Sequence, residues 1–415
     1  MTEYVIIGDG IAGATAAETL RDELGPDEAE ITVITDEAEP LYNRINIKEY
    51  AKGNMPEDLI KMHDKGWYDE RDIELMLDTM VWEVDGDEKT VHLHNGDEIS
   101  YDKLLAATGG NPRSLPVPHS DADGIHNFWT FIDSRRIRRD AEEAEDGIVV
   151  GAGLLGIDFS YALGKNDVDG KYLMRGDMWW RYAMEETGAE IIHDELRSVG
   201  VEPVFGEGVA RFNVNRMGHV TECVGTTGEV YDCDMAGVCI GLDLNTEVVE
   251  NTDARTDEGI VVDEYLRTDD PDIYAAGDIA QFHDVIVGER NINGSWDSAK
   301  KQGEVAAKNM MNPDDPTTFE IVPKYSVSHF SMPFMSLGSP TKGEEYVHTT
   351  YGDKEYRRLA FKNGRLVGAV LIGNVRPVGS LTRLMKQQPR GEPGDLYDKR
   401  EQLLEETVDT EGLLG

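Results

Sequence analysis

The chain has 415 residues, of which 81 are Asp or Glu and 40 are Lys or Arg, so its formal net charge is −41 at pH 7. Hydrophobic residues make up 40% of the sequence, which is enough to build a large core in about two or three domains. A negative charge of this size repels phosphate backbones and anionic lipid. It therefore argues against nucleic-acid-binding and membrane-surface proteins.

The acidic residues are spread along the whole chain and are not collected in a tail, which is typical of a solvated surface. Repulsion within such a surface destabilises the compact state at low salt. At ~1 M salt the Debye length falls to about 3 Å and most of the repulsion is screened. We therefore expect a halophilic, cytoplasmic protein.

Three cysteines, Cys223, Cys233 and Cys239, form no CxxC or CxxxxC pair. Their spacing argues against dithiol redox chemistry and thiolate metal sites. Cys223 and Cys233 flank Gly228 and could face each other across a hairpin, but buried free thiols are expected in a reducing compartment. The histidines show no metal-ligand spacing, so no metal site is predicted.

The start of the chain predicts a strand (residues 4–7), which argues against a signal peptide. The longest uncharged stretch, residues 325–341, contains Pro333 and Pro340, so no membrane span is expected.

The first unit begins with the strand at residues 4–7, the turn GDGIAG, a helix at 14–24 and a second strand at 31–35. This alternation is typical of a parallel βαβ unit. Asn95-Gly96 lies between alternating residues and predicts a hairpin. A short buried strand at 104–107 ends at Thr108-Gly109.

A similar unit begins with a strand at 148–150, the turn GAGLLG and a helix that runs to Leu163. The next strand is predicted at 172–174, displaced by a polar insert at 165–170. An antiparallel meander is expected over 210–233.

The pattern then returns to that of the first unit, with a strand at 273–276 and a long helix at 297–311. Beyond it, strands are predicted at 346–350, 356–362 and 366–373, and a short helix at 380–386. The tail from Arg390 is polar and expected to be peripheral.

The two glycine turns carry the main functional signal. Glycines in a strand–turn–helix context permit a tight turn and close approach of a pyrophosphate, which the helix N-terminus binds. Acids roughly 20 residues after the first turn, Asp36 and Glu37, could hydrogen-bond an adenosine ribose. The glycines of the two turns are Gly8, Gly10 and Gly13, and Gly151, Gly153 and Gly156. Two dinucleotides in one chain indicate an electron relay.

Four further segments make the resemblance specific: PLYNRINIKEYAKG, LLAATGGNPRSLP, GIVVDEYLRTDDPDIYAAGDIA and GSWDSAKKQGEVAAKNM. In this order they resemble the FAD/NAD(P) flavoproteins with two dinucleotide-binding domains, the pyridine nucleotide-disulfide oxidoreductase-like superfamily. The YNR segment is similar to the rubredoxin-reductase, ferredoxin-reductase and nitrite-reductase flavin-subunit branch, as is the C-terminal RRLAFKNGRLVGAVLIGN. Dithiol members carry CxxxxC near YNRINIKEY, and its absence here disfavours disulfide-reductase chemistry.

The resemblance implies an α/β fold: two Rossmann-like three-layer dinucleotide-binding domains and a C-terminal α+β domain. The FAD-binding domain is predicted at 1–114 and 246–312, and the NAD(P)-binding domain at 115–245. The C-terminal interface domain is predicted at 313–390 and a polar tail at 391–415.

It also implies roles for several side chains. Lys48 would lie close to the flavin and stabilise negative charge on it, with a solvated surface lysine as the alternative. Arg44 would clamp cofactor phosphates, or else form a structural salt bridge. Asp278 would meet the flavin ribityl chain, or cap a helix. Trp296 would pack beside the flavin ring, or serve as an ordinary core aromatic.

Asp158 occupies the place where relatives carry Glu near the nicotinamide, and the alternative is an acid in the first turn of a helix. Arg175 follows a strand where NAD-specific relatives have an acid, so it favours NADP through the 2′-phosphate. The remaining cofactor contacts that the resemblance implies are Ile11, Ala12, Val81, Thr108, Gly109, Leu154, Leu155, Gly241 and Gly277.

The resemblance therefore implies an FAD-dependent NAD(P)H oxidoreductase that passes hydride from nicotinamide to flavin. Electrons would then pass to a small iron–sulfur or rubredoxin-like protein or a small-molecule acceptor. The alternatives are an NAD(P)H oxidase or quinone reductase, and a non-catalytic flavin redox sensor. The C-terminal sheet is a plausible homodimer surface.

The charge predicts that the thermal midpoint of unfolding rises as KCl is raised from millimolar to multimolar concentrations, since salt screens the self-repulsion of the surface. Differential scanning calorimetry over this range measures it. Stability that is equal or greater at low salt would show that the acidic surface is no adaptation to salt.

Overall fold

The computed structural model describes residues 1–327, 330–390 and 393–414. The strands in chain order are β1 (Thr2–Ile7), β2 (Ala29–Ile34), β3 (Glu74–Met76), β4 (Val81–Asp85), β5 (Thr90–Leu93), β6 (Glu98–Ser100), β7 (Lys103–Ala106), β8 (Gly110–Pro112), β9 (Ile125–His126), β10 (Asp146–Gly151), β11 (Asp169–Met174), β12 (Val201–Phe205), β13 (Val209–Val214), β14 (Val220–Gly225), β15 (Val230–Asp232), β16 (Met235–Cys239), β17 (Leu242–Leu244), β18 (Ile260–Val261), β19 (Ile273–Ala275), β20 (Ala280–Asp284), β21 (Glu289–Asn291), β22 (Lys324–Val327), β23 (Phe334–Gly338), β24 (Glu345–Gly352), β25 (Glu355–Lys362) and β26 (Arg365–Ile372). The helices are α1 (Ile11–Glu23), α2 (Ile47–Ala51), α3 (Lys65–Asp69), α4 (Phe131–Ala141), α5 (Leu154–Lys165), α6 (Glu186–Ser198), α7 (Trp296–Met311), α8 (Val378–Gln387), α9 (Arg400–Leu403) and α10 (Thr410–Leu414).

Two parallel sheets have the same order. The first is β19-β7-β1-β2-β3 and the second is β9-β16-β10-β11-β12. In each, the strand before the glycine turn is central and the strand after the helix lies beside it. Each unit also carries a three-stranded antiparallel sheet, β4-β5-β6 or β13-β14-β15. The predicted α/β fold with two Rossmann-like units is confirmed.

The first unit is completed by a segment that follows the second unit in the sequence. β19 pairs with β7, and α7 packs across α1. A Cβ at Gly303 of α7 would overlap the backbone oxygen of Ala12, so glycine permits this close helix contact.

The prediction of a polar insert at residues 165–170, before β11, is wrong. Helix α5 runs to Lys165, and β11 begins at Asp169, so only a three-residue turn separates them. Val168 in this turn is buried with 2% exposure. Gly170 and polar neighbours within the strand suggested a loop, but parallel pairing with β10 and β12 decides the structure.

The predicted hairpin at Asn95-Gly96 and the meander are confirmed as β5–β6 and β13–β15. All three cysteines are buried free thiols, as expected. Cys223 lies opposite Tyr231, so it does not directly face Cys233 across the hairpin. Within the described residues, no helix has the length and apolarity needed to cross a membrane.

The C-terminal unit is a five-stranded antiparallel sheet, β22-β23-β26-β25-β24, with α8 against it. The three predicted strands and the helix are confirmed. Strands β22 and β23 were not predicted, because Pro333 and several serines interrupt any alternating pattern there.

The tail is not simply peripheral. Leu396, Leu403 and Leu413 are buried in the core of the C-terminal unit. The buried Arg357 of β25 donates hydrogen bonds to the carbonyl oxygens of Leu403 (2.7 Å) and Glu405 (2.6 Å). These bonds and the leucines attach the tail to the sheet.

Leu403→Ala should therefore lower the stability of the C-terminal unit by about 2–5 kcal/mol, because it leaves a cavity in the core. Thermal unfolding measures the loss, and Glu401→Ala, on the exposed side of the same helix, is the control. A Leu403→Ala midpoint equal to that of the control would mean that the tail does not support the fold.

Candidate functional site

The first glycine turn joins β1 to α1. Gly8 has φ of +110°, and a Cβ there would overlap the carbonyl oxygen of Ala107. A Cβ at Gly13 would overlap the oxygen of Gly8, whereas Gly10 faces open space with no atom within 4 Å. Helix α1 begins at Ile11, followed by Ala12, without a side-chain cap on its N–H groups. Free N–H groups that face an open cradle fit the pyrophosphate of FAD.

The second glycine turn repeats this geometry between β10 and α5. Gly151 has φ of +139°, and Gly153 faces open space. Helix α5 again begins without a side-chain cap, at Leu154 and Leu155, which are partly buried. Gly156 lies against Tyr172, where a Cβ would overlap the phenolic oxygen. This turn therefore fits a second dinucleotide.

Two aromatic residues fix the second turn. Tyr172 Oη and Trp179 Nε1 donate hydrogen bonds to the carbonyl oxygen of Gly153, at 3.1 Å and 3.2 Å. Both side chains are fully buried. Neither contact was predicted from the sequence, because the partners lie on different elements.

The acids predicted to bind ribose lie at the carboxyl end of β2. Asp36 is exposed. Glu37 accepts a hydrogen bond from Tyr42 Oη at 2.6 Å and forms an ion pair with Arg44. The backbone N–H of Thr79 donates to Thr35 at 2.8 Å, which brings the start of β4, at Val81, close to this end.

Arg44 therefore forms the salt bridge that was its alternative interpretation, and whether it also contacts phosphate stays a prediction. Burial opposes its charge, but Tyr42, Glu37 and Asp278 outweigh burial and raise its pKa. Asp278 lies in the turn between β19 and β20. No helix follows it there, so its helix-cap interpretation is wrong. The pKa of Asp278 is raised to about 6, because burial raises it by more than the charge of Arg44 lowers it.

Lys48 and Asp158 meet, although they come from different units. Lys48 Nζ lies 2.6 Å from Asp158 Oδ2, and the side chains are 19% and 6% exposed. Tyr325 Oη of β22 accepts a hydrogen bond from Lys48 Nζ at 3.1 Å and lies 3.5 Å from Asp158 Oδ2. We call Lys48, Asp158 and Tyr325 the ion-pair cluster. It joins α2, α5 and the C-terminal sheet.

These contacts determine which residues of the ion-pair cluster are protonated. Burial opposes the ammonium of Lys48, but Asp158 and Tyr325 outweigh burial and raise its pKa, so Lys48 stays protonated. Burial and then Asp158 raise the pKa of Tyr325, which stays neutral. Lys52 lies 3.8 Å from Asp158 Oδ1 and pairs with Glu49 at 2.7 Å. The surface-lysine interpretation of Lys48 is therefore wrong.

Cys239 lies near this cluster at the end of β16. Burial, and then the charge of Asp158, raise the pKa of its thiol to about 12. A thiol in this state is inert as a nucleophile. Within the described ranges, no three His, Cys, Asp or Glu side chains converge as metal ligands would.

Two loops connect the units near the site. Thr108 Oγ1 donates to the carbonyl oxygen of Asn245 at 3.0 Å, and Asn245 Nδ2 donates back to Thr108 at 3.0 Å. Gly109 and Gly241 both have positive φ, at the ends of equivalent strands β7 and β16. The predicted cofactor contacts at these positions therefore lie at the crossing between the two units.

The remaining predicted residues lie on separate elements. Arg175 directly follows β11 and is exposed. Gly277 has φ of +86° and precedes Asp278. Trp296 is the first residue of α7 and packs, partly buried, against the core of the first unit. Their contacts with a cofactor stay predictions.

Tyr325, Trp179 and Lys52 were not predicted as site residues from the sequence. Tyr325 begins an uncharged, serine-rich stretch and Trp179 lies in a turn, so no local motif marks these two residues. Lys52 stands in the PLYNRINIKEYAKG segment, but nothing there assigns it a role. Only the tertiary structure brings them to the glycine turn or the ion-pair cluster.

Comparison with known proteins agrees with this geometry. NADH-rubredoxin oxidoreductase of Clostridium acetobutylicum is 26% identical over 378 residues, covering 90% of this chain and 92% of the relative. NADH oxidase of Methanocaldococcus jannaschii is 30% identical over 315 residues, covering 74% and 69%. For two other relatives the chain spans about half their length, 49% and 46%.

The crystal structure of a covalent putidaredoxin reductase–putidaredoxin complex has the same fold, with a TM-score of 0.86 at 22% identity, covering 92% of this chain and 93% of that one. Residues 328–389 match the rubredoxin NAD⁺ reductase C-terminal domain. The pyridine nucleotide-disulphide oxidoreductase family matches residues 2–303. With its two dinucleotide cradles, the chain therefore belongs to the pyridine nucleotide-disulphide oxidoreductase family, whose cofactors are FAD and NAD(P)H.

Proposed function

We propose that the protein oxidises NAD(P)H through FAD and passes the electrons to a small iron–sulfur or rubredoxin-like protein. The observation that carries this proposal is the ion-pair cluster, which joins the unit of each glycine turn to the C-terminal unit. The absence of a cysteine pair supports electron transfer without a disulfide step.

When bound, FAD and NAD(P)H supply the redox chemistry, in which hydride passes from the nicotinamide to the flavin. Lys48 provides a fixed positive charge, which stabilises negative charge that develops near it. Asp158 and Tyr325 orient this ammonium. Trp179 and Phe334, with ring centroids 6.1 Å apart, belong to the hydrophobic core around this region and help to exclude water.

The C-terminal domain match and the named relatives support a protein acceptor. The segment that carries Lys48 also exposes apolar side chains: Ile45 is 51% exposed and Met62 is 44% exposed. The two stretches of chain are joined by an isolated antiparallel bridge between Tyr42, three residues before Ile45, and Lys61, next to Met62. Repulsion between this acidic surface and an acidic carrier is screened at high salt.

A second candidate is an NAD(P)H oxidase, which the Methanocaldococcus relative favours. To test the two, NAD(P)H consumption by the FAD-loaded protein is measured in multimolar KCl. A rubredoxin, a ferredoxin and a quinone are first compared as acceptors under anaerobic conditions. Oxygen is then tested as the acceptor in a separate aerobic assay. Faster turnover with an iron–sulfur protein than with oxygen or the quinone supports the proposal. Rapid cofactor bleaching with no turnover on any acceptor would favour a redox sensor instead.

We also propose that the protein works in the cytoplasm and forms a homodimer through its C-terminal sheet. Strand β24 is an edge strand whose residues are exposed or partly exposed, which leaves room for a second copy. Sedimentation equilibrium at high salt tests the dimer.

Lys48→Met should slow NAD(P)H oxidation roughly 100-fold, because it removes a preorganised charge. Stopped-flow absorbance at saturating NAD(P)H measures the rate. Lys48→Arg should retain more activity, since it keeps the charge.

Lys65→Met is the matched control, because Lys65 is 60% exposed and pairs only with Asp69 within the described structure. If Lys48→Met binds FAD normally and keeps the control's rate, the ion-pair cluster has no part in the reaction.

Arg175→Ala should lower kcat/KM for NADPH about 10-fold or more and change that for NADH little, since the guanidinium would contact the 2′-phosphate. Arg211→Ala, an exposed change in β13, is the control. A native enzyme with a strong preference for NADH would refute this role of Arg175.

A further inference from the structure

The carbonyl groups of the second glycine turn are held by residues outside the turn. Gly153 O accepts hydrogen bonds from Tyr172 Oη and Trp179 Nε1, at 3.1 Å and 3.2 Å. Ala152 O accepts a hydrogen bond from the backbone N–H of Trp180 at 3.2 Å. Two successive tryptophans and one tyrosine therefore fix both peptide groups that lead into α5.

The direction of these carbonyls decides where the N–H donors of the turn point. In a trans peptide, the carbonyl of one residue and the N–H of the next lie in one plane and point in opposite directions. The described part of the chain contains no cis peptide bond. Because Ala152 O and Gly153 O point toward the segment that holds them, the N–H groups of Gly153 and Leu154 point away from it. N–H groups in this position bind phosphate at a helix N-terminus.

The first glycine turn is held in a different way. Gly10 O, which is equivalent to Gly153 O, accepts a hydrogen bond from Ala14 N–H of its own helix at 3.0 Å. The contacts from Tyr172 and Trp179 therefore act on the second turn, and the first turn serves as an internal reference.

The position of Trp179 depends in turn on His193 of α6. Both side chains are buried, and the backbone N–H of Trp179 donates to His193 Nε2 at 3.2 Å. Nε2 is therefore the ring nitrogen without a hydrogen, and Nδ1 carries the hydrogen. The segment between β11 and α6, which contains Trp179, forms no helix or strand, so its position depends on such contacts.

Two charged residues of α6 fix this tautomer of His193. Glu190 Oε2 accepts a hydrogen bond from His193 Nδ1 at 2.9 Å, and Arg197 Nη1 donates to Glu190 Oε1 at 2.7 Å. Hydrogen bonds from Arg197 and then from His193 lower the pKa of Glu190, which therefore stays a carboxylate. An acceptor at Nδ1 keeps Nε2 free to accept from Trp179.

We propose that His193 and Trp179 are positioning residues for the nicotinamide dinucleotide, because they hold the N–H groups of the second turn in the direction that binds its pyrophosphate. The inference rests on the proposed function, in which this turn binds NAD(P)H. Donors that are in place before the nucleotide arrives favour affinity. The proposed role involves no contact with the reacting atoms. Loss of either side chain should therefore weaken nucleotide binding and spare hydride transfer at saturation.

Anaerobic stopped-flow reduction of the FAD-loaded protein separates these two quantities. Flavin absorbance is followed at increasing NADPH and, separately, NADH, which gives an apparent Kd and a limiting rate for each nucleotide. Trp179→Phe keeps an aromatic ring but loses the Nε1 donor, so it should raise the apparent Kd about fivefold, the effect of one hydrogen bond. The limiting rate should stay within about twofold of the native rate. If Trp179→Phe does not fold, Tyr172→Phe, which removes the other donor to Gly153, carries the same expectation.

Two substitutions of His193 separate its acceptor from its volume. The Oε1 atom of Gln can take the place of His193 Nε2, so His193→Gln should retain most of the affinity. The side chain of Asn reaches only as far as Nδ1, so His193→Asn should raise the apparent Kd about fivefold. His94→Asn is the matched control, because His94 is an exposed histidine of the first unit, and it should leave both quantities at their native values.

The outcomes distinguish this inference from the proposed function. If the native flavin is reduced normally and Trp179→Phe and His193→Asn keep the native apparent Kd, the positioning role alone is overturned. An equal rise in His193→Gln and His193→Asn also overturns it, since the acceptor would then not matter. A native flavin that neither nucleotide bleaches contradicts the proposed function as well. Flavin absorbance and the thermal midpoint report that each variant is folded.

Discussion

The contact between Lys48 and Asp158 is the constraint on which the arrangement of the site depends. Each residue belongs to a different dinucleotide-binding unit, and Tyr325 adds the C-terminal sheet. A buried charge that loses its partner is strongly destabilising, so the three elements must keep this register. That register fixes the position of α2 relative to α5 and to the C-terminal sheet.

The two dinucleotide-binding units share one architecture. Both units use the same strand order and begin a helix without a side-chain cap at Gly10 or Gly153. Each cradle presents helix N–H groups at the carboxyl edge of its parallel sheet. The crossing at Thr108 and Asn245 then joins the units by two backbone–side-chain hydrogen bonds.

The sequence predicted what local patterns determine. The glycine turns, the Asn95-Gly96 hairpin and Lys48 with Asp158 each stand in a segment with a recognisable motif. The wrongly predicted insert before β11 shows what local patterns cannot determine. Asp169 and Gly170 suggest a loop, and only their pairing with β10 shows that they belong to a strand. Tyr325 and Trp179 could not be found, because their partners are more than a hundred residues away or on another element. Leu403 and Leu413 stand in an acidic tail, and only the sheet that they cover shows that they are core.

The most direct measurement is an anaerobic titration of the FAD-loaded protein with NADPH and NADH, followed by the visible absorbance of the flavin. If the two cofactors meet at the ion-pair cluster, an equimolar amount of the preferred nucleotide bleaches the flavin completely. A protein that cannot be loaded with FAD, or whose flavin keeps its colour with both nucleotides, would contradict the account.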